Sequence, residues 1–302
     1  MSHIYIFSPS SAVRDKAAFK RGIKRLEALG HEVQVDPDAL SSHMRFAGND
    51  ETRLNAIGRA AASGANIAMI SRGGYGLTRL LTQLPYKAIA KSIDNGTQYV
   101  GLSDFTAFQL AVYAKTQRIT WQGPALGEDF GSENEPDDIM QACFDDLCVE
   151  QGEGTGWRMP VESLQKSVKV NNAVLWGGNL AVLTSLLGTP YFPLMNKGVL
   201  FFEDVGEHPY KIERMLTQLL NAGVLQNQKA IVFGQFTSYQ LVSHDKGFKL
   251  KTVINRLRTQ LKIPVLTGLP FGHVSTKVLL PIGAKVDLAT EGRDAFLVWG
   301  HI

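Results

Sequence analysis

Short β-prone runs alternate with amphipathic stretches through the first 130 residues, and no other feature restricts the fold of this chain as strongly. Residues 4–7 (IYIF), 32–35 (EVQV), 67–70 (IAMI) and 98–102 (QYVGL) read as strands. Phe19, Ile23, Leu26 and Leu29 share one face of a helix that closes at Gly30, a residue suited to the left-handed position after a helix end. Residues 51–63 give a second helix, and 104–111 carry helix-compatible apolar spacing. Alternation of this kind predicts a parallel sheet, with functional loops gathered at the carboxyl ends of its strands.

From Glu128 to about Lys169 the character changes. GEDFGSENEPDD and the later QGEGTG are acidic, polar and glycine-rich, which suits a surface excursion and a linker. The second half then resumes with a strand at 174–176, a helix after Gly178, a buried strand at 199–202, a helix opened by Pro209, a strand at 230–233 and short strands after His273. The expected division is 1–130 as one α/β domain, 131–169 as excursion and linker, and 170–302 as a second α/β domain. At 302 residues and 44% hydrophobic, the chain has enough material for two cores.

A net charge of +3, with bases and acids interspersed, is too small and too scattered for a nucleic-acid partner. The most apolar stretch, 173–187, is interrupted by Gly177, Gly178, Asn179, Thr184 and Ser185, so no membrane span is expected. MSHIYIFSPSS reads as a first strand rather than a signal peptide, which gives a cytoplasmic expectation. Cys143 and Cys148, the two cysteines, match neither a redox pair nor a zinc set and are expected to be reduced.

Three residues at the ends of strands carry the chemistry. Ser103 lies between the strand at 98–102 and the helix that follows, where a serine can sit on a tight turn with its hydroxyl exposed and the next amide aimed at the same space. GLSDF lacks the second glycine of the G-x-S-x-G pattern, and Ser103 read alone is more simply a helix N-cap. A serine hydroxyl needs a base. Of the seven histidines, His273 ends a strand that runs through a Gly-flanked turn, GLPFGH. Glu203 ends the apolar run 199–202, where a carboxylate can hold a histidine tautomer; Asp204 and Glu207 compete for that role, although Glu207 is more simply an acid near the helix that Pro209 opens. Because Ser103 falls in one half and Glu203 and His273 in the other, the site is expected across the domain junction.

The turn Ser71-Arg72-Gly73-Gly74-Tyr75-Gly76 lacks the lysine of a P-loop and the spacing of G-x-G-x-x-G. In an acyl-transfer site its glycines would let an amide approach an oxyanion, and the N–H groups of Gly74 and Asp104 are the provisional donors. A tight turn requiring positive φ explains the same glycines. Arg72 is a candidate for binding a substrate carboxylate, against the commoner fate of a surface ion pair. Tyr75 and Trp176 could line the cleft or pack at a domain interface.

SRGGYGLTRLL (71–81), GLSDFTAFQLA (101–111), LWGGNLAVLTSLLGTPYFP (175–193), FFEDVGEHPYKIERML (201–216) and LPFGHVSTKVLLPIGA (269–284) together resemble the signature blocks of the LD-carboxypeptidases, the muramoyltetrapeptide carboxypeptidase family of serine peptidases. The likeness runs over nearly the whole chain. It implies a Ser-Glu-His triad on Ser103, Glu203 and His273. It also implies a flavodoxin-like parallel-sheet N-terminal domain, a smaller α/β C-terminal domain, an active site at their junction, a homodimer, and neither metal nor other cofactor. The implied reaction releases the terminal D-alanine of a murein tetrapeptide or muropeptide by cutting an L–D bond, in peptidoglycan recycling. Within the same fold the rival is a microcin-immunity-type serine hydrolase of peptidyl-nucleotides, and EDVGEHPY favours the murein branch. A non-catalytic ligand-binding module on the same scaffold is the rival of a different class.

Overall fold

In the computed structural model, which describes residues 1–161 and 167–302, five parallel strands and one antiparallel edge strand form the first sheet. These are β1 (His3–Phe7), β2 (Glu32–Val35), β3 (Ile67–Ile70), β4 (Gln98–Gly101) and β5 (Thr120–Gln122), ordered 2-1-3-4-5. That is the flavodoxin-like order. Strand order reverses between β1 and β3, and a crevice opens beyond the carboxyl ends of strands at such a switch point. β3 is buried at all four positions, as an apolar strand covered by helices on both faces must be.

The helices follow from local chemistry. In α1 (Lys16–Ala28), Asp15 accepts the amides of Ala17 and Ala18, a cap worth about 1 kcal/mol. Asn49 caps α2 (Asp50–Ala62) in the same way, and α3 (Tyr86–Asp94) precedes β4. The helix α4 (Phe105–Thr116) differs, with nine successive residues buried from Phe105 to Tyr113. A helix apolar all round must be enclosed, and α4 lies between the first sheet and the second half of the chain, touching β5, the strand Lys169–Asn179 and the helix Leu180–Ser185. Ser103 stands two residues before this wedge.

Two expectations about segment boundaries change. The stretch read as excursion and linker contains α5 (Asp138–Cys148), which buries Met140, Phe144 and Leu147, and β6 (Gly154–Arg158), which joins the second sheet. Cys143 and Cys148 lie on α5 as free thiols, and burial pushes Cys148 up to about 11. Residues expected wholly within the second domain also return to the first, because β11 (Leu280–Ile282) pairs antiparallel with β5.

The second sheet has the order β10-β9-β8-β7-β12-β13-β6. β7 (Lys169–Asn179), β8 (Val199–Val205), β9 (Ala230–Thr237) and β10 (Val265–Thr267) are parallel, and β12 (Lys285–Glu291) and β13 (Asp294–Val298) add antiparallel strands at one side. α6 (Leu180–Ser185), α7 (Pro209–Asn221) and α8 (Leu250–Gln260) complete the layer. One apolar core runs through both halves, from Phe7 and Phe105 to Leu175 and Phe201. Among the described residues no helix is long and apolar enough to cross a membrane.

Candidate active site

Ser103 occupies the turn from β4 into α4 with φ +66°, a left-handed conformation that a residue with a Cβ adopts at a cost of about 1–2 kcal/mol. Such strain is expected where a strand must turn abruptly into a helix and present its side chain outward. The neighbouring loop is fitted to it. A Cβ on Gly73 would lie 2.6 Å from Ser103 Cβ and 2.8 Å from its Oγ, so only glycine allows the two backbones to approach this closely. Gly74 has φ +110°, and a Cβ there would collide with Ser11 Oγ. Ser11 in turn holds the loop, since the Tyr75 amide donates to its hydroxyl at 3.0 Å.

Glu203 and His273 meet directly. His273 Nδ1 lies 2.8 Å from Glu203 Oε2, and Glu203 is fully buried within β8. The pairing of β8 with β9 shifts register between Phe202 and Asp204, so the irregularity falls at Glu203. Irregularities of this kind re-aim a side chain beside a functional site. Because a carboxylate accepts, the contact places the proton on Nδ1 and leaves Nε2 of neutral His273 as an acceptor. Burial, the largest influence on His273, disfavours its charged form, but the hydrogen bond and charge of Glu203, helped by Glu128, leave the pKa raised.

Asn179, at the end of β7, was not singled out by sequence. Its Nδ2 donates to Glu203 Oε1 and to Asp204 Oδ1, each at 3.1 Å, and its backbone amide donates to Thr106 Oγ1 at 3.1 Å. The Thr106 amide donates to the Ser103 carbonyl at 2.9 Å. A continuous chain of bonds therefore leads from the Ser103 turn through Thr106, Asn179 and Glu203 to His273. A polar residue at the carboxyl end of a strand, just before a helix, is the signal that would have found Asn179. Asp204, a competitor for the orienting role, is occupied by Asn179 and the Ala181 amide; burial and then the Glu203 charge push it up to about 6. Glu207 stands apart, 3.5 Å from Lys211.

A second clamp reaches the His273 loop from the first half. Buried Lys277 donates to Asp129, and Thr276 to Asp137. Asp129 and its neighbour Glu128 belong to a single turn of wide π-type helix, a geometry often found at functional sites.

Among the described residues, the amides of Gly74 and Asp104 donate to no internal acceptor. Ser103 Oγ likewise has no hydrogen-bond partner there, and its bond to His273 is not formed. In free enzymes such bonds are often long and tighten with substrate. The Arg72 guanidinium donates to the Ala12 carbonyl at 3.1 Å and lies 3.9 Å from Glu128, beside a cavity of about 210 Å³ that Arg14 and Ser71 also line. Tyr75 is half-exposed under the Arg45 guanidinium. Trp176 does not line the cleft: it is wholly buried and donates to Gln228, so its role is in the core.

A strained serine, a histidine held by a buried acid and, among the described residues, two amides without internal acceptors are groups that acyl transfer through an ester can use.

Comparison with known proteins gives a consistent picture. The LD-carboxypeptidase N-terminal domain family matches residues 4–123, and the LD-carboxypeptidase C-terminal domain family matches residues 172–288. A probable murein peptide carboxypeptidase of Bacillus subtilis is 31% identical over 278 residues, 91% of this chain and 85% of that protein. The crystal structure of a muramoyltetrapeptide carboxypeptidase from Oxalobacter formigenes superposes with a TM-score of 0.89 at 37% identity, covering 99% of this chain and 98% of the other. The microcin C7 self-immunity protein, in complex with glutamyl sulfamoyl guanosine, shares the fold with a TM-score of 0.87 at 24% identity, over 99% and 96% of the two chains.

Proposed function

Because this chain belongs to the LD-carboxypeptidase family of murein-peptide carboxypeptidases, we propose that it is a serine carboxypeptidase that removes the terminal D-alanine from a murein tetrapeptide by cutting an L–D bond. The observation that carries the reading is the 2.8 Å bond from His273 Nδ1 to the buried Glu203, which leaves Nε2 available as a base.

Ser103 Oγ attacks the scissile carbonyl while His273 Nε2 takes its proton. The carbonyl oxygen becomes an oxyanion that the amides of Gly74 and Asp104 receive, and Glu203 stabilises the imidazolium. Collapse breaks the C–N bond as His273 returns the proton to the leaving amine, so D-alanine departs and Ser103 holds an ester. Water then attacks with His273 again as base, and the shortened peptide leaves. Arg72 is the candidate partner for the carboxylate of the departing residue.

The enzyme so described works in peptidoglycan recycling, in the cytoplasm and as a homodimer. Mass spectrometry of a purified tetrapeptide after incubation tests the reaction: loss of one alanine is expected. A pentapeptide ending D-Ala–D-Ala should be spared, because inverting the acyl centre redirects its side chain and misaligns attack. Comparable rates on the two peptides would reject L–D specificity.

A further inference from the structure

Asp104 stands at the start of α4, where an aspartate ordinarily accepts amides of its own helix, yet its side chain makes no such cap. Its backbone is already helical, with φ −54° and ψ −25°. The carboxylate is used elsewhere. Oδ2 accepts the Ser10 hydroxyl at 2.7 Å and the Leu77 amide at 2.9 Å. Ser10 follows β1, and Leu77 closes the glycine turn that follows β3, so one carboxylate ties the ends of β1, β3 and β4 together. Arg53, fully buried, braces the same turn by donating to the carbonyls of Gly76 at 3.0 Å and Pro9 at 3.2 Å.

Burying this acid is unfavourable: desolvation raises its pKa, and the Leu77 amide, the Ser10 hydroxyl and the charge of Arg53 offset that only in part. A leucine would fill the space without that cost but would accept nothing, and an asparagine would offer the turn one acceptor oxygen where the aspartate has two. Among the described residues, the amide of Asp104 itself and that of Gly74, within the turn that its carboxylate grips, donate to no internal acceptor.

We propose that the Asp104 side chain is a positioning residue that fixes the separation of the Gly74 and Asp104 N–H groups, so that both meet the oxyanion formed on attack by Ser103. The proposal rests on the serine-acylation reading given above. Fixed donors act on charge that develops in the transition state, and loss of one whole donor costs about 10²–10³ in kcat. Loosening the pair should cost less, about 10- to 100-fold, and should leave KM within about twofold because the ground-state carbonyl demands less of the donors.

Asp104→Asn keeps the side chain's size and one acceptor oxygen but replaces the other with an amide donor. Two readouts are needed: steady-state kinetics on the murein tetrapeptide, and the rate at which a fluorophosphonate modifies Ser103. In the second, Oγ forms an O–P bond, fluoride leaves and the phosphoryl oxygen takes the oxyanion position, so no murein peptide is required. We expect kcat and the modification rate to fall together by about 10- to 100-fold, with Ser103→Ala as the blank. Both rates within about twofold of wild type, or a loss confined to KM with modification unchanged, would overturn the proposal. Ser10→Ala leaves the acid in place and removes one of its anchors; a smaller parallel fall is expected, and unchanged rates there overturn it should the asparagine variant not fold. A wild-type enzyme that reacts with the fluorophosphonate but spares the tetrapeptide would sink the substrate assignment alone, whereas one that does not react would sink both.

Discussion

The two sides of the junction hold their functional groups by different physics. Ser103 is set by the main chain: a left-handed turn at the end of β4, a glycine pressed against it and a helix enclosed on all sides behind it. Glu203 and His273 are set by side-chain bonds, through Asn179 beneath the acid and through Lys277–Asp129 beside the histidine loop. The first arrangement stores strain locally. The second borrows rigidity from the other half of the chain, and variants on the two sides should therefore fail in different ways.

The greatest loss is expected at Ser103→Ala, where tetrapeptide hydrolysis should fall by about a million-fold with the circular dichroism spectrum and peptide binding retained, since loss of a nucleophile costs on that order. Activity above about a hundredth of wild type would remove Ser103 from the mechanism. On the other side, Glu203→Gln should lower kcat by about ten-thousand-fold, because an amide cannot hold the tautomer and stabilise the imidazolium as a carboxylate does. Glu207→Gln should stay within about threefold, as its contact is a partly exposed pair with Lys211. The reverse ranking would mean that the acid has been misassigned.

The same pair predicts a pH dependence. His273 must be neutral to act as base, and Glu203 raises its pKa above the ordinary 6.5, so the acidic limb of kcat/KM should lie above that value and activity should rise with pH through it. In Glu203→Gln the stabilisation of the imidazolium is lost while burial remains, and the limb should move to lower pH. A limb that stays put in the variant would detach His273 from the pH profile.

Much of this was open to sequence reading, for physical reasons that also explain the omissions. Buried parallel strands such as β3 are short apolar runs, and each repeats the same pattern of strand, turn and helix, so the first sheet is legible by itself. Ser103, Glu203 and His273 are legible as candidate reactive side chains beside strands, but only Ser103 lies just past a strand end: Glu203 sits inside β8, and His273 in the loop beyond β10, where the run of Gly268, Pro270 and Gly272 ends the strand early. The helix α5 was hidden because its three buried positions, Met140, Phe144 and Leu147, sit among acidic and glycine-rich neighbours. Short strands were expected after His273, but the membership of β11 in the first sheet was hidden because a three-residue strand containing Pro281 takes its place from β5, more than 150 residues earlier. Asn179 and the Asp129–Lys277 pair are ordinary polar residues until the fold brings their partners to them, and the amide of Asp104 could be suggested while the use of its carboxylate could not.

The Asp129–Lys277 pair sharpens the contrast through stability. Lys277→Met leaves a buried carboxylate beside the Ala125 amide with its cation gone, and removal of one member of a buried pair costs about 3–5 kcal/mol. Combining it with Asp129→Leu should recover most of that loss, because a well-packed apolar pair replaces two desolvated charges. Chemical denaturation of the three variants checks this. Equal destabilisation in the single and double variants would show that packing rather than charge holds the His273 loop to the first half.

The smallest expected effect tests the main-chain side alone. Ser103→Ala and Ser103→Gly both delete the hydroxyl, so both should be inactive, but they treat the turn differently. Alanine keeps a Cβ at φ +66° and with it the left-handed strain of about 1–2 kcal/mol, whereas glycine relieves that strain. Glycine also gives the unfolded chain more freedom, which takes back about 0.5–1 kcal/mol. The difference is a net gain of about 0.5–1 kcal/mol for glycine over alanine, measurable as a shift in denaturation midpoint at unchanged slope. If Ser103→Gly were the less stable of the two, the turn would not be strained, and the serine would owe its placement to its neighbours rather than to its own backbone.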